Sequence, residues 1–85
     1  MPAHSKKEEM LEAIKKVRAQ LARRYIDTST LNVTISGGNV HLTGAIRKLR
    51  AHPQVDLHQE MDQISQILKT IAGVREVVWD VALRS

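Results

Sequence analysis

The stretch LNVTISGGNVHLTG, residues 31–44, predicts the centre of the fold. Apolar and polar residues alternate on both sides of Gly37 and Gly38, and this period of two is typical of half-buried β-strands. Gly37, Gly38 and Asn39 tolerate a positive φ, so the chain can reverse between the two strands. The stretch therefore predicts a β-hairpin, in which Gly44 marks a bulge or the end of strand pairing.

Residues 5–25, before the hairpin, carry the pattern of an amphipathic helix. Apolar residues recur three or four positions apart and form one stripe: Met10, Ile14, Val17, Leu21 and Tyr25. Ser5 and Glu8 have the spacing of a capping box at its start. Glutamates lie toward the beginning of the segment and arginines toward its end, an order that complements the helix dipole. We therefore expect one helix ahead of the hairpin.

Two more elements are predicted after the hairpin and a basic connection at residues 47–52. Pro53 suits the first turn of a second amphipathic helix of about five turns. Gly73 stands where the C-cap of that helix needs a residue without Cβ. A third strand follows at residues 74–83. The apolar stripe of the helix is Leu57, Met61, Ile64, Leu68 and Ile71, and one face of the strand is Val77, Trp79, Val81 and Leu83.

The predicted order α-β-β-α-β favours an α+β two-layer sandwich, in which both helices cover one face of a three-stranded mixed sheet. The second helix crosses over between the second and third strands, so these strands should run parallel. We expect the first strand to lie between them. A chain of 85 residues fits a single domain, residues 1–85. We expect its core at about residues 5–84 and a disordered tail at residues 1–4.

The composition excludes several classes of protein. The chain contains no cysteine, which excludes disulfide bridges, a thiolate nucleophile and a Cys-based zinc site. No apolar run approaches the ~18–20 residues that span a bilayer. The N-terminal residues lack the apolar stretch of a secretory signal. The expected location is cytoplasmic if Met1 is the native start, and periplasmic if a signal has been removed.

No arrangement of side chains in the sequence predicts catalysis, and we expect a protein that is not an enzyme and uses no cofactor. Asp56 and Glu60 are paired carboxylates four residues apart, but on a helix surface they should be solvated. His58 and Asp62, like His52 and Asp56, have the i, i+4 spacing of two metal ligands. Two ligands from one helical turn do not close a site, so no metal is expected.

Four short motifs, in this order along the chain, resemble the BON domain, a small α-β-β-α-β module of bacteria. They are the alternating strand at residues 31–35, the glycine-containing turn at 37–39, V-x-L-x-G at 40–44 and G-V-x-x-V at 73–77. The resemblance implies a non-catalytic binding module, associated with phospholipid surfaces, envelope integrity and osmotic stress. We expect Gly38, Gly44 and Gly73 to be structural, because they would turn the hairpin, relieve crowding where the second strand leaves the sheet, and cap the second helix.

Basic residues are the first candidates for a binding site. Arg47, Lys48 and Arg50 form one cluster, and Arg23 and Arg24 lie at the end of the first predicted helix. If these residues share one side of the fold, they would attract anionic lipid headgroups. The alternative is that they simply solvate the surface, since acids and bases are interleaved along the first helix.

Trp79 and Val78 are the candidates for contact with a protein partner or a membrane interface. Trp79 departs from the small polar residue that is more usual at this position of BON domains. It belongs to the core if it shares the face of Val77 and Val81. If the strand lies at the edge of the sheet, or has a different register, Val78 or Trp79 would be an exposed apolar contact.

The leading hypothesis is association with an anionic membrane surface or an envelope protein. The alternative is a protein–protein adaptor or homo-oligomer that uses the open face of the sheet, made of Asn32, Thr34, Ser36, His41, Thr43, Glu76, Val78 and Asp80. KH-like nucleic-acid binding is less favoured. The chain has no G-x-x-G loop and only two aromatic residues for base stacking, Tyr25 and Trp79.

Overall fold

The computed structural model describes residues 6–84, with side chains from residue 7 onward. Its elements are α1 (Lys6–Ala22), β1 (Ile26–Asp27), β2 (Asn32–Ser36), β3 (Asn39–Lys48), α2 (Leu57–Leu68) and β4 (Glu76–Arg84). Two helices and a sheet of four strands confirm the α+β class. The predicted tail at residues 1–4 and the capping residue Ser5 lie outside the described residues.

The middle strand of the sheet is β3. Strand β2 pairs with it antiparallel, from Ser36 opposite Asn39 to Asn32 opposite Thr43. The two-residue β1 continues that edge antiparallel, with Ile26 opposite Lys48. Strand β4 runs parallel along the other edge of β3. The sheet is therefore mixed, as predicted.

The prediction that the first hairpin strand lies in the middle is wrong, and the sheet has four strands instead of three. Strand β3 has ten residues and β2 has five. The inward alternation of Val40 and Leu42 continues past Gly44 to the buried Ile46. Only β3 is therefore long and apolar enough to pair along both edges. The first two residues of the predicted basic connection are in fact the end of this strand.

The core lies between one face of the sheet and the two helices, which confirms the predicted two-layer arrangement. On the inner face of the sheet, Val40, Leu42 and Ile46 are fully shielded from solvent. The helices contribute Val17 and Leu21 from α1, and Leu57, Ile64 and Leu68 from α2, to the same cluster. Burying a side chain of this size stabilises the fold by about 1.5–3 kcal/mol.

Both helices are shorter than predicted. Helix α1 ends at Ala22, and Tyr25, expected on its apolar stripe, lies beyond it with 54% of its surface exposed. Helix α2 has twelve residues, about three turns instead of five. It begins after Asp56, whose side chain accepts hydrogen bonds from the backbone N–H groups of His58 and Gln59. An N-cap carboxylate therefore sets the start of α2, and Pro53 lies in the preceding loop.

The prediction that Gly73 caps α2 is wrong. The helix ends at Leu68, and its C-cap Lys69 keeps a right-handed helical conformation. Gly73 has φ +90° in the turn that leads to β4. In that turn the N–H of Val74 donates to the carbonyl of Ile71, and the N–H of Arg75 donates to the carbonyl of Gly38. The turn therefore docks against the β2–β3 hairpin.

Glycine is required for steric reasons at the hairpin and in β3. Gly37 and Gly38, with φ +58° and +84°, form the predicted two-residue turn. Gly44 has φ +108°, and a Cβ there would overlap the carbonyl oxygen of Thr30. The expected crowding is present. It arises inside β3, where the segment between β1 and β2 passes close to the strand, and not at the end of β3 as predicted.

Candidate anionic-surface site

The parallel pairing of β3 and β4 collects positive charge at one end of the molecule. Parallel strands end at the same edge of a sheet, and Arg47 of β3 lies opposite Arg84 of β4. The pairing of Ile26 with Lys48 brings the end of α1 to this edge. We call the five residues gathered here the basic end: Arg23, Arg47, Lys48, Arg50 and Arg84. All are exposed except Lys48, which is half-buried.

An aromatic contact holds the loop after β3 against the basic end. The rings of Tyr25 and His52 lie with centroids 4.8 Å apart at an interplanar angle of 57°. This contact links the α1–β1 junction to the loop that carries Arg50. One open concavity lies beside them, lined by Asp27, Arg47, Lys48, Leu49, Arg50 and Pro53. Three of these six side chains are cationic, so the concavity suits an anionic group.

Asp27 is the carboxylate next to this positive charge. Hydrogen bonds from the side chain and the backbone N–H of Ser29 lower the pKa of Asp27. Slight burial opposes this effect, and the charge of Arg47 adds a smaller lowering. Asp27 therefore stays ionised and partly offsets Arg47, its partner across β1 and β3. Among the side chains of residues 7–84, no carboxylate forms an ion pair with Arg84 within 4.0 Å.

Arg24 forms an ion pair and hydrogen bonds within the fold. Its Nη2 atom lies 2.5 Å from Oε2 of Glu60 and 2.7 Å from Oε1 of Gln63, and its Nε lies 3.2 Å from the same Glu60 oxygen. Glu60 is 6% exposed, so the prediction that it is solvated is wrong. The sequence could not show this pairing, because the two residues lie 36 positions apart. Arg24 therefore joins α1 to α2, while the other four predicted basic residues remain accessible.

The two predicted partner contacts lie on opposite faces of β4. Trp79 is half-buried on the inner face, and its Nε1–H donates to Oγ of Ser65 on α2 at 2.7 Å. Val78 is 43% exposed on the outer face of the sheet, opposite His41 of β3. Of this pair, Val78 is the side chain that a partner on the outer face would meet.

The outer face of the sheet has the composition that the alternation predicted. The eight residues expected there lie in cross-strand rows of the same face, such as Thr34, His41 and Val78. Asn39 of β3 completes the row of Ser36 and Glu76. Both helices contribute to the core on the inner face. The outer face therefore presents a mostly polar surface with Val78 as its large apolar side chain.

Two further features bear on the kind of site. Within residues 6–84, no group of three His, Cys, Asp or Glu side chains is placed to hold a metal ion. Neither α1 nor α2, as far as they are described, is long and apolar enough to cross a membrane.

Arg84 is the site residue that the sequence analysis missed. The signal was available: if the strand after the second helix runs parallel to the strand before it, their carboxyl ends meet. Placing Arg84 beside Arg47 then needed the correct neighbour for β4 and the extension of both strands beyond their predicted ends. The expected middle position of the first strand separated the two arginines by a strand.

One of three comparisons with known proteins found a match. The sequence profile described as "BON domain" matches residues 12–85, nearly the whole chain. A search of curated proteins found no match, and neither did a search of solved structures. On the profile match and the motifs at residues 31–44 and 73–77, the chain belongs to the BON domain family.

Proposed function

We propose that this protein is a non-enzymatic module that binds anionic phospholipid surfaces through its basic end. The observation that carries the proposal is the gathering of five cationic side chains, from α1, β3, the following loop and β4, at one edge of the sheet. The BON family is associated with phospholipid binding, which gives the anion its chemical class. A headgroup phosphate matches the charge and the hydrogen-bonding geometry of arginine side chains.

The opposite end of the molecule carries charges of both signs. The groove between α1, the hairpin turn and the loop after α2 is lined by Glu9, Glu12 and Lys16 among its charged residues. Lys69 and Glu76 form an exposed ion pair nearby, with Nζ and Oε2 3.7 Å apart. Charges of both signs are mixed there. A negatively charged membrane would therefore orient the protein with its basic end toward the surface.

Apolar side chains accompany the basic end. Tyr25 is 54% exposed and Leu83, next to Arg84, is 39% exposed. Tyrosine is enriched at the level of lipid headgroups, where its ring is apolar and its hydroxyl remains hydrated. Each cationic side chain near such a surface contributes about 1 kcal/mol. Five of them with one aromatic side chain support reversible, salt-sensitive binding.

Charge reversal at matched positions tests the proposal. One variant carries Arg47→Glu, Arg50→Glu and Arg84→Glu, and its control carries Lys16→Glu, Lys69→Glu and Arg75→Glu, which changes the net charge equally. Both sets are exposed, so both variants should fold. In co-sedimentation with phosphatidylglycerol vesicles, the first variant should lose binding and the control should keep most of it. Equal loss in both variants would contradict a localised site.

A further inference from the structure

The outer edge of β4 is unprotected. Within residues 6–84, β4 pairs with β3 and with no other strand. It has nine residues, Glu76–Arg84, in an uninterrupted register. Natural edge strands usually avoid pairing by being short, by a bulge, or by proline and charged side chains on the edge. Strand β4 is long and has no proline, lysine or bulge, and its charged residues are Glu76, Asp80 and Arg84. A strand that pairs with this edge must therefore accommodate these three charges.

The core is also incomplete along this edge. On the inner face, Val40, Leu42 and Ile46 of β3 are 0% exposed. Of their partners on β4, Val77 and Trp79 are only half-buried and Leu83 is exposed. Two of the large exposed apolar side chains of the described residues, Val78 and Leu83, belong to β4 as well. A strand added at this edge would bury apolar surface on both faces of the sheet.

The sequence of β4 is complementary to itself. We propose that β4 pairs antiparallel with β4 of a second copy, in the register that places the two Asp80 residues opposite each other. On the outer face, Glu76 of each copy then lies opposite Arg84 of the other, and Val78 lies opposite Ala82. On the inner face, Val77 lies opposite Leu83 and Trp79 opposite Val81. A second copy is the occupant because it alone supplies both charge pairs by symmetry.

Asp80 is a source of charge repulsion in this interface. The Asp80 pair at the two-fold axis is the one like-charge contact in the register, so it weakens the dimer. A shifted register centred on Ala82 would place Asp80 opposite Arg84 and leave Glu76 unpaired. The two registers therefore predict opposite effects of removing the Asp80 charge.

The dimer and the proposed lipid binding share Arg84 but are tested separately. Its two copies run in opposite directions, so their basic ends point away from each other. Arg84 would pair with Glu76 of the partner instead of an anion. Self-association is measured without lipid, and its outcome does not depend on whether vesicles are bound.

Sedimentation equilibrium from about 10 μM to about 1 mM, a range that covers weak interfaces, tests the proposal. We expect a reversible monomer–dimer equilibrium. Glu76→Arg alone and Arg84→Glu alone should each weaken the dimer about tenfold or more, and the double swap should restore it. Asp80→Asn should tighten it by about two- to fivefold. Glu12→Arg, the same charge change on exposed α1, should leave it unchanged.

Circular dichroism of each variant confirms the fold before its mass is interpreted. A monomer at every concentration would overturn the proposal. The proposal would also be overturned if neither single charge change altered the affinity of the dimer, or if the double swap failed to restore it. A dimer weakened by Asp80→Asn would overturn the register centred on Asp80.

Discussion

Arg47 and Arg84 lie opposite each other on the outer face of the sheet, at the carboxyl ends of the parallel strands β3 and β4. Like charges in directly opposite positions of a sheet destabilise it. Asp27 lies beside Arg47 on the other side and compensates part of this repulsion. The remaining positive charge is a cost to the isolated fold that an external anion would relieve.

Replacing Arg84 should therefore weaken vesicle binding without lowering the stability of the fold. Arg84→Gln removes one charge of the like-charged pair, and we expect a free energy of unfolding that is unchanged or higher by up to about 1 kcal/mol. Binding to anionic vesicles should weaken by about fivefold, corresponding to about 1 kcal/mol per cation. Urea unfolding and co-sedimentation measure the two quantities. A variant that is less stable and binds as tightly as the natural protein would show that Arg84 has a purely structural role.

Arg24 should behave in the opposite way, because it is engaged by the buried Glu60. Arg24→Ala leaves a carboxylate without its partner in a site with little solvent, and we expect a loss of about 3 kcal/mol in the free energy of unfolding. Under conditions where the variant is folded, vesicle binding should change little. Arg23→Ala, one position earlier and exposed, is the matched control and should cost less than about 0.5 kcal/mol.

Gly44 should tolerate no side chain. Gly44→Ala brings a Cβ into the carbonyl oxygen of Thr30 and also forces an L-residue to φ +108°, so we expect a loss of about 3 kcal/mol or more. Gly37→Ala tests the conformational penalty alone, because Gly37 has φ +58° and a Cβ added there would meet no heavy atom within 4 Å. It should cost about 1–2 kcal/mol. Equal losses in the two variants by urea unfolding would argue against the close approach of Thr30.

Ionised Asp27 should stabilise the fold at neutral pH, and this stabilisation should be lost in acid. Its pKa is lowered in the folded protein, chiefly by the hydrogen bonds from Ser29. The stabilisation is therefore complete above the unfolded-state pKa near 4 and is lost as the pH falls through the lower folded-state value. Asp27→Asn should flatten the dependence of stability on pH below about pH 4. An unchanged slope between pH 2 and 4 would show that Asp27 is not held in this way.

The hairpin at residues 31–44 could be predicted in detail because its signals are local. Alternation of apolar residues assigns each side chain to a face, and two adjacent glycines define the turn. The predicted inward positions Val33, Val40 and Leu42 are buried. The order of strands depends on which strand is long enough to pair twice, and the continuation of β3 to Lys48 was hidden by Gly44 and by a run of basic residues.

The candidate site was partly predictable for the same reason. Arg47, Lys48 and Arg50 lie within four positions of one another, so the sequence alone predicts that they are close in space. The roles of Arg24 and Arg84 are set by contacts with Glu60 and Arg47, each more than thirty residues away. Separating a structural arginine from an exposed one requires knowledge of the packing between α1 and α2.

A comparison of vesicles that differ only in charge tests whether the basic end binds an anionic phospholipid surface. The natural protein is co-sedimented with phosphatidylcholine vesicles, with and without about 30% phosphatidylglycerol, at about 0.15 M salt and at about 0.5 M salt. We expect binding to the anionic vesicles alone, weakened several-fold at the higher salt. Absence of binding to the anionic vesicles, or equal binding to both compositions at both salt concentrations, would contradict it.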